Sequence, residues 1–199
     1  MFLIALEGSS FAGKTTISNH LTNIYPNSIR LISEYVEYAK GSKYFPPFPK
    51  TSQQAIDNLI FFLNLDAIRF SEIHENPEYY SFLLDRSVLT LLAFNYALEK
   101  QYNIVCYEES YNLIVNSYRA FIPDLTIYLK IGHEELIRRF NTSRRETPNI
   151  FIDREFNFHF NNFFQLMCQR NEFRVIALDA ERTLQFVIKD VITICNVPQ

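Results

Sequence analysis

Tryptophan is absent from this 199-residue chain, glycine occurs only four times, and the three cysteines lie far apart at Cys106, Cys168 and Cys195. So little glycine excludes collagen-like and Gly-rich low-complexity architectures, and it makes the position of each glycine informative. Scattered cysteines with no C-x-x-C point away from a disulfide framework or a zinc cluster and toward reduced thiols. There is no excess of positive charge: 19 Lys and Arg against 22 Asp and Glu give a net charge of -3, so no basic field invites a nucleic-acid polymer or an anionic membrane. No apolar run approaches the ~20 residues that cross a bilayer, and the apolar start lacks a basic leader region. The expectation is a cytoplasmic chain whose partners are small molecules, with no membrane and no nucleic-acid polymer among them. What is present is an apolar share of 48%, enough to bury a real core in one domain spanning 1–199.

Short apolar runs at 2–6, 29–33, 81–84, 125–131 and 174–178 are rich in Ile, Leu and Val and too short for helices. Between and after them, helical patterns fall at 14–24, 52–76, 88–100, 108–121, 134–140, 154–170 and 184–195. The alternation predicts an α/β fold with a five-stranded parallel sheet and helices on both faces. Ligands of such folds sit beyond the carboxyl ends of the strands.

After the first strand stands Gly8-Ser9-Ser10-Phe11-Ala12-Gly13-Lys14-Thr15, a complete G-x-x-x-x-G-K-[ST] in strand-loop-helix context. Main-chain amides of Gly8, Ser9, Ser10, Ala12 and Gly13 are expected to ring phosphate oxygens. Lys14 is expected to reach the terminal phosphates, and Thr15 and Thr16 to stand at the opening of the helix. The Thr15 hydroxyl suits Mg²⁺. This reads as a three-layer P-loop NTPase fold that binds ATP with Mg²⁺. The chain lacks the N-K-x-D guanine reader, and its length suits a small-molecule kinase. At the end of the third strand, Asp85 and Arg86 can hold Mg²⁺ or orient an acceptor and clamp a phosphate. Arg138, Arg139, Arg144 and Arg145 cluster after the fourth strand and can bring positive charge over the nucleotide. Glu34 is the best-placed acid after the second strand. Aromatic residues from Tyr35 to Phe70 offer faces for a base.

In order along nearly the whole chain, Leu6-Glu7-Gly8, Asp85-Arg86-Ser87, Pro123-Asp124-Leu125-Thr126-Ile127-Tyr128-Leu129 and Asp179-Ala180 resemble the thymidylate kinase and deoxynucleoside kinase group. The resemblance implies Lys14, Asp85, Arg86, Arg139 and Arg145 as catalytic residues, with Asp85 and Thr15 at the metal. It also implies a small lid at about 138–152. Thr90-Leu91-Leu92-Ala93-Phe94-Asn95 stands where thymidylate kinases contact the acceptor base, so Thr90, Phe94 and Asn95 join Glu34 and Arg69 as acceptor-site candidates. Ser87, the run Tyr128-Leu129-Lys130 and Arg144-Arg145-Glu146 resemble the deoxynucleoside kinases instead.

A nucleoside monophosphate is the first-ranked acceptor, with a deoxynucleoside 5′-hydroxyl as the alternative and a regulatory P-loop ATPase without a small acceptor as a third reading. A phosphate on the acceptor needs a cation that a hydroxyl does not, and Arg69 or Arg30 is expected to supply it. In the deoxynucleoside reading, Glu34 takes the hydroxyl proton. A homodimer through the helices at 88–100 and 108–121 would suit the resemblance, and packing of the same apolar faces within one subunit explains them equally well.

Overall fold

Five apolar runs become strands because each is only four to six residues long and dominated by side chains that favour a buried pleat. They are β1 (Phe2–Glu7), β2 (Ile29–Ile32), β3 (Ser81–Asp85), β4 (Leu125–Lys130) and β5 (Val175–Asp179). The computed structural model describes residues 2–143, 147–170 and 172–195. The strands form one sheet in the order β2-β3-β1-β4-β5, with every neighbouring pair parallel. Parallel neighbours require crossovers, and the helices supply them. The helices are α1 (Lys14–Ile24), α2 (Tyr35–Tyr38), α3 (Ser52–His74), α4 (Val88–Tyr102), α5 (Tyr107–Ser117), α6 (His133–Thr142), α7 (Arg154–Arg170) and α8 (Leu184–Cys195).

The period of two along each strand divides the core. Ile4, Leu6, Ile127 and Leu129 point to one face and pack against Ile17 and Leu21 of α1 and Val187 and Val191 of α8. Tyr128 points to the other face and joins Leu63 of α3, Leu92 of α4 and Phe163 and Phe164 of α7. Each fully buried side chain of this kind stabilises the fold by about 1.5–3 kcal/mol. The apolar face of α4 packs within the chain, against α7 and α5. Among the described residues no helix is long and apolar enough to cross a membrane.

The helix expected at 108–121 ends earlier, at Ser117, and a 3-10 turn covers Arg119–Phe121. Pro123 drives Ile122 into extended backbone, so the helix cannot run up to it. Two caps fix helix starts on either side of the site. Thr51 accepts the Gln54 amide at 3.2 Å at α3, and Ser87 accepts the Leu89 amide at 3.2 Å at α4.

Candidate active site

The carboxyl end of β1, at the centre of the sheet, opens into the loop 8–15. Gly8 has φ +143, and a Cβ there would lie 2.6 Å from the Leu129 carbonyl oxygen, so any other residue would push the loop away from β4. Gly13, with φ +98, turns the chain into α1. Lys14 is buried and its Nζ donates to the carbonyls of Gly8 (2.9 Å) and Ser9 (3.0 Å), folded back across its own loop. Burial first, and the nearby Arg86 charge second, lower its pKa to about 8 against the opposite pull of Asp85, Glu34 and Glu7. Ser9 is anchored by donating to Asn161 Oδ1 of α7 at 2.9 Å.

β3 delivers the next two groups. Asp85 is buried, and its Oδ2 accepts the Thr15 hydroxyl at 2.9 Å while its Oδ1 has no partner among the described residues. An exposed hydroxyl beside a carboxylate with one oxygen unengaged is an oxygen donor set that fits Mg²⁺. Among the described residues no cluster of three acidic, histidine or cysteine groups could hold a metal alone. Arg86 takes the left-handed conformation at φ 68, which a non-glycine residue adopts only where its surroundings impose it. Its Nε donates to Glu34 Oε1 at 2.6 Å, and its terminal nitrogen lies 3.3 Å from the Gly8 carbonyl and 3.4 Å from Thr90 Oγ1.

Behind them lies Glu7, which sequence reasoning treated only as part of a resemblance. It is fully buried, and its carboxylate accepts the Ser87 amide and hydroxyl, each at 2.7 Å, and the Thr90 hydroxyl. Burial pushes its carboxyl above the ordinary value, opposed by Thr90, Arg86 and Ser87. Glu7 thereby ties β1 to the start of α4, on the two sides of the phosphate loop.

On the α1 and α8 side of the loop is a cavity of about 250 Å³ lined by Ala12, Gly13, Thr16, Arg139, Ala180 and Arg182. Arg139 crosses its edge, donating to Glu135 (2.6 Å) and to the carbonyls of Phe11 (3.1 Å) and Ala180 (2.6 Å). Arg182, not anticipated from sequence, is brought here by the turn after β5 and pairs with Asp190. Only the Asp179-Ala180 pair hinted at that turn.

Other expected groups are engaged within the protein. Arg69, expected to bind the acceptor, is fully buried. It pairs with Asp66 at 2.6 Å and donates to the carbonyls of Arg86 (2.7 Å) and Asp85 (3.3 Å), because its face of α3 turns toward the sheet. Arg30, the other expected cation, pairs with Glu72 of α3 at 2.9 Å and lies over the Tyr79 ring. Asn95, expected to read a base, is buried at the α4–α5 junction and donates to Ser110 Oγ at 2.7 Å. Phe94, half-buried, sits among the rings of Phe48, Phe151 and Phe156. Arg144 and Arg145 lie outside the described residues.

A phosphate loop on the central strand of a parallel 2-3-1-4-5 sheet, with an acid and an arginine at the neighbouring strand end, defines the P-loop kinase-like fold. The chain shares that fold with deoxyadenosine kinase from M. mycoides. The structure with bound dATP aligns over 98% of this chain and 100% of the other, with TM-score 0.74 and 19% identity. Structures of the same enzyme with the products dCMP and dCDP, and with dCTP, align with TM-score 0.68 at 21% and 20% identity, each covering 98% of this chain and 99% of the other. At such identities the likeness establishes the fold, which is the one the motif resemblance implied. No sequence-family profile matches the chain, and no protein of curated function matches it by sequence.

Proposed function

We propose that this protein is an ATP- and Mg²⁺-dependent kinase that transfers the γ-phosphoryl group to the 5′-hydroxyl of a deoxynucleoside. The observation that carries the choice of acceptor is the engagement of both candidate phosphate-binding arginines, Arg69 and Arg30, with carboxylates of α3. The Glu34–Arg86 pair, by contrast, stands at the mouth of the phosphate loop. This reverses the order of acceptors drawn from sequence: the groups at the mouth suit a hydroxyl that must lose a proton better than a second phosphate. The deoxyadenosine kinase fold supports the same choice.

In this reading the amides of the loop 8–15 and the Lys14 ammonium hold the donor phosphates. Thr15 and Asp85 hold Mg²⁺, which when bound neutralises charge on the phosphate oxygens. Glu34 takes the proton as the acceptor oxygen attacks the γ-phosphorus, and the bridging oxygen leaves with ADP. Arg86 orients Glu34 and adds positive charge beside the developing negative charge. Arg139 and Arg182 flank the cavity as planar faces for the donor base. The segment expected as a lid, about 138–152, takes in residues 144–146, which lie outside the described residues; within its described part Arg139 reaches the Phe11 carbonyl at the edge of the cavity. Thr90 and Phe94 belong to the acceptor side.

The test is ADP release over a panel of deoxynucleosides and nucleoside monophosphates. Deoxynucleosides should be turned over, and Glu34→Gln should lower kcat by about 10²–10⁴-fold while leaving MgATP affinity intact. Turnover of monophosphates alone, or of no acceptor at all, overturns the reading.

A further inference from the structure

Against the turn that ends β3 lies a buried cluster of Tyr35, Asp66 and Arg69. Arg69 carries a full charge at zero exposure. One of its terminal nitrogens is 2.6 Å from Asp66 Oδ1, whose other oxygen accepts the Tyr35 hydroxyl at 2.9 Å. The guanidinium also lies over the Tyr35 ring, 4.4 Å from its centre. Burying such an ion pair is costly, and apolar residues of similar volume fill a core at least as well. What apolar residues cannot do is bond main-chain carbonyls. The second terminal nitrogen of Arg69 does this, reaching the carbonyls of Arg86 at 2.7 Å and Asp85 at 3.3 Å.

Those two carbonyls belong to the turn where β3 ends and Arg86 is held at positive φ. The third member, Tyr35, is the first residue of α2 and follows Glu34. The cluster therefore fastens the two chain segments whose side chains meet above it, Glu34 and Arg86, at 2.6 Å. The pairing of β2 with β3 stops at Ile32 and Leu84.

We infer that Tyr35, Asp66 and Arg69 form a positioning network that sets the Glu34–Arg86 pair and the Asp85 carboxylate against the donor phosphates. This rests on the kinase reading. Small errors in such geometry can cost up to about a hundredfold in rate. A planar fork is required to hold a carboxylate and two carbonyls at once, which a lysine ammonium does not reproduce.

Tyr35→Phe keeps the ring in place and deletes one donated hydrogen bond, and Arg69→Lys keeps the charge and deletes the fork. In Tyr35→Phe the thermal midpoint, the Kd for MgATP and the KM for the deoxynucleoside should stay near wild type, while kcat falls about tenfold. Arg69→Lys should lower kcat about a hundredfold; if it fails to fold, Tyr35→Phe decides alone. Unchanged kcat in a folded Tyr35→Phe overturns the inference, and so does a parallel loss of kcat, KM and thermal midpoint, which marks a simple core brace. If the wild-type protein phosphorylates no acceptor, the kinase reading falls, and hydrogen exchange then decides the network. Tyr35→Phe should speed exchange of the amides at 85–90 but not of those in β4, and equal rates in the two proteins reject it.

Discussion

Raising the pH probes the phosphate loop without altering a residue. In the free protein Lys14 is 6% exposed, and its pKa is lowered from 10.5 to about 8, chiefly by burial and then by Arg86. A triphosphate places several negative charges on the ammonium and returns it toward its ordinary range. Binding near pH 8 must then take up about half a proton, and near pH 9 almost a whole one. Affinity for MgATP should be level below about pH 7, roughly twofold weaker at pH 8 and roughly tenfold weaker at pH 9. Stability runs the other way. The unfolded lysine keeps its proton up to about 10.5, so between 8 and 10.5 the unfolded chain binds more protons, and the folded state gains stability as pH rises through that window. Weaker binding by a more stable protein cannot be mistaken for unfolding. Titration calorimetry in two buffers of different ionisation enthalpy measures both the Kd and the proton count. Lys14→Met should bind weakly at every pH and show no slope. A wild-type Kd constant within about twofold from pH 7 to 9.5, with no buffer-dependent heat, refutes the argument.

Two further predictions address the metal and the donor cavity. Asp85→Asn removes the charge from the carboxylate that faces Thr15, so the Mg²⁺ concentration for half-maximal activity should rise about tenfold or more and kcat should drop; an unchanged Mg²⁺ titration rejects the assignment. Arg139→Ala strips one wall of the cavity beside Gly13, so the KM for ATP should rise several-fold with the acceptor KM unchanged. A change in the acceptor KM alone would reassign the cavity. Its solvent-screened ion pair with Glu135 contributes little to stability, so unfolding is not expected.

The phosphate loop and the sheet were readable in the linear order of residues because the physics that makes them is local. Two glycines at fixed spacing, a lysine and a hydroxyl at a strand-to-helix junction suffice to cradle phosphate, and five short apolar runs separated by helical periods suffice for a parallel sheet. The placement of Asp85 and Arg86 beside that loop was legible for the same reason, since both stand at the end of a strand that neighbours β1. The roles of Glu7, Asn161 and Arg182 were not, because each depends on a partner 80, 152 or 8 residues away. The arginines make the point most sharply. Arg69, Arg30 and Arg86 are chemically identical, yet one meets main-chain carbonyls, one a helix glutamate and one the mouth of the site. A guanidinium bonds whatever acceptor its face of the helix or strand is turned toward, and only the packing of α3 against the sheet fixes that direction.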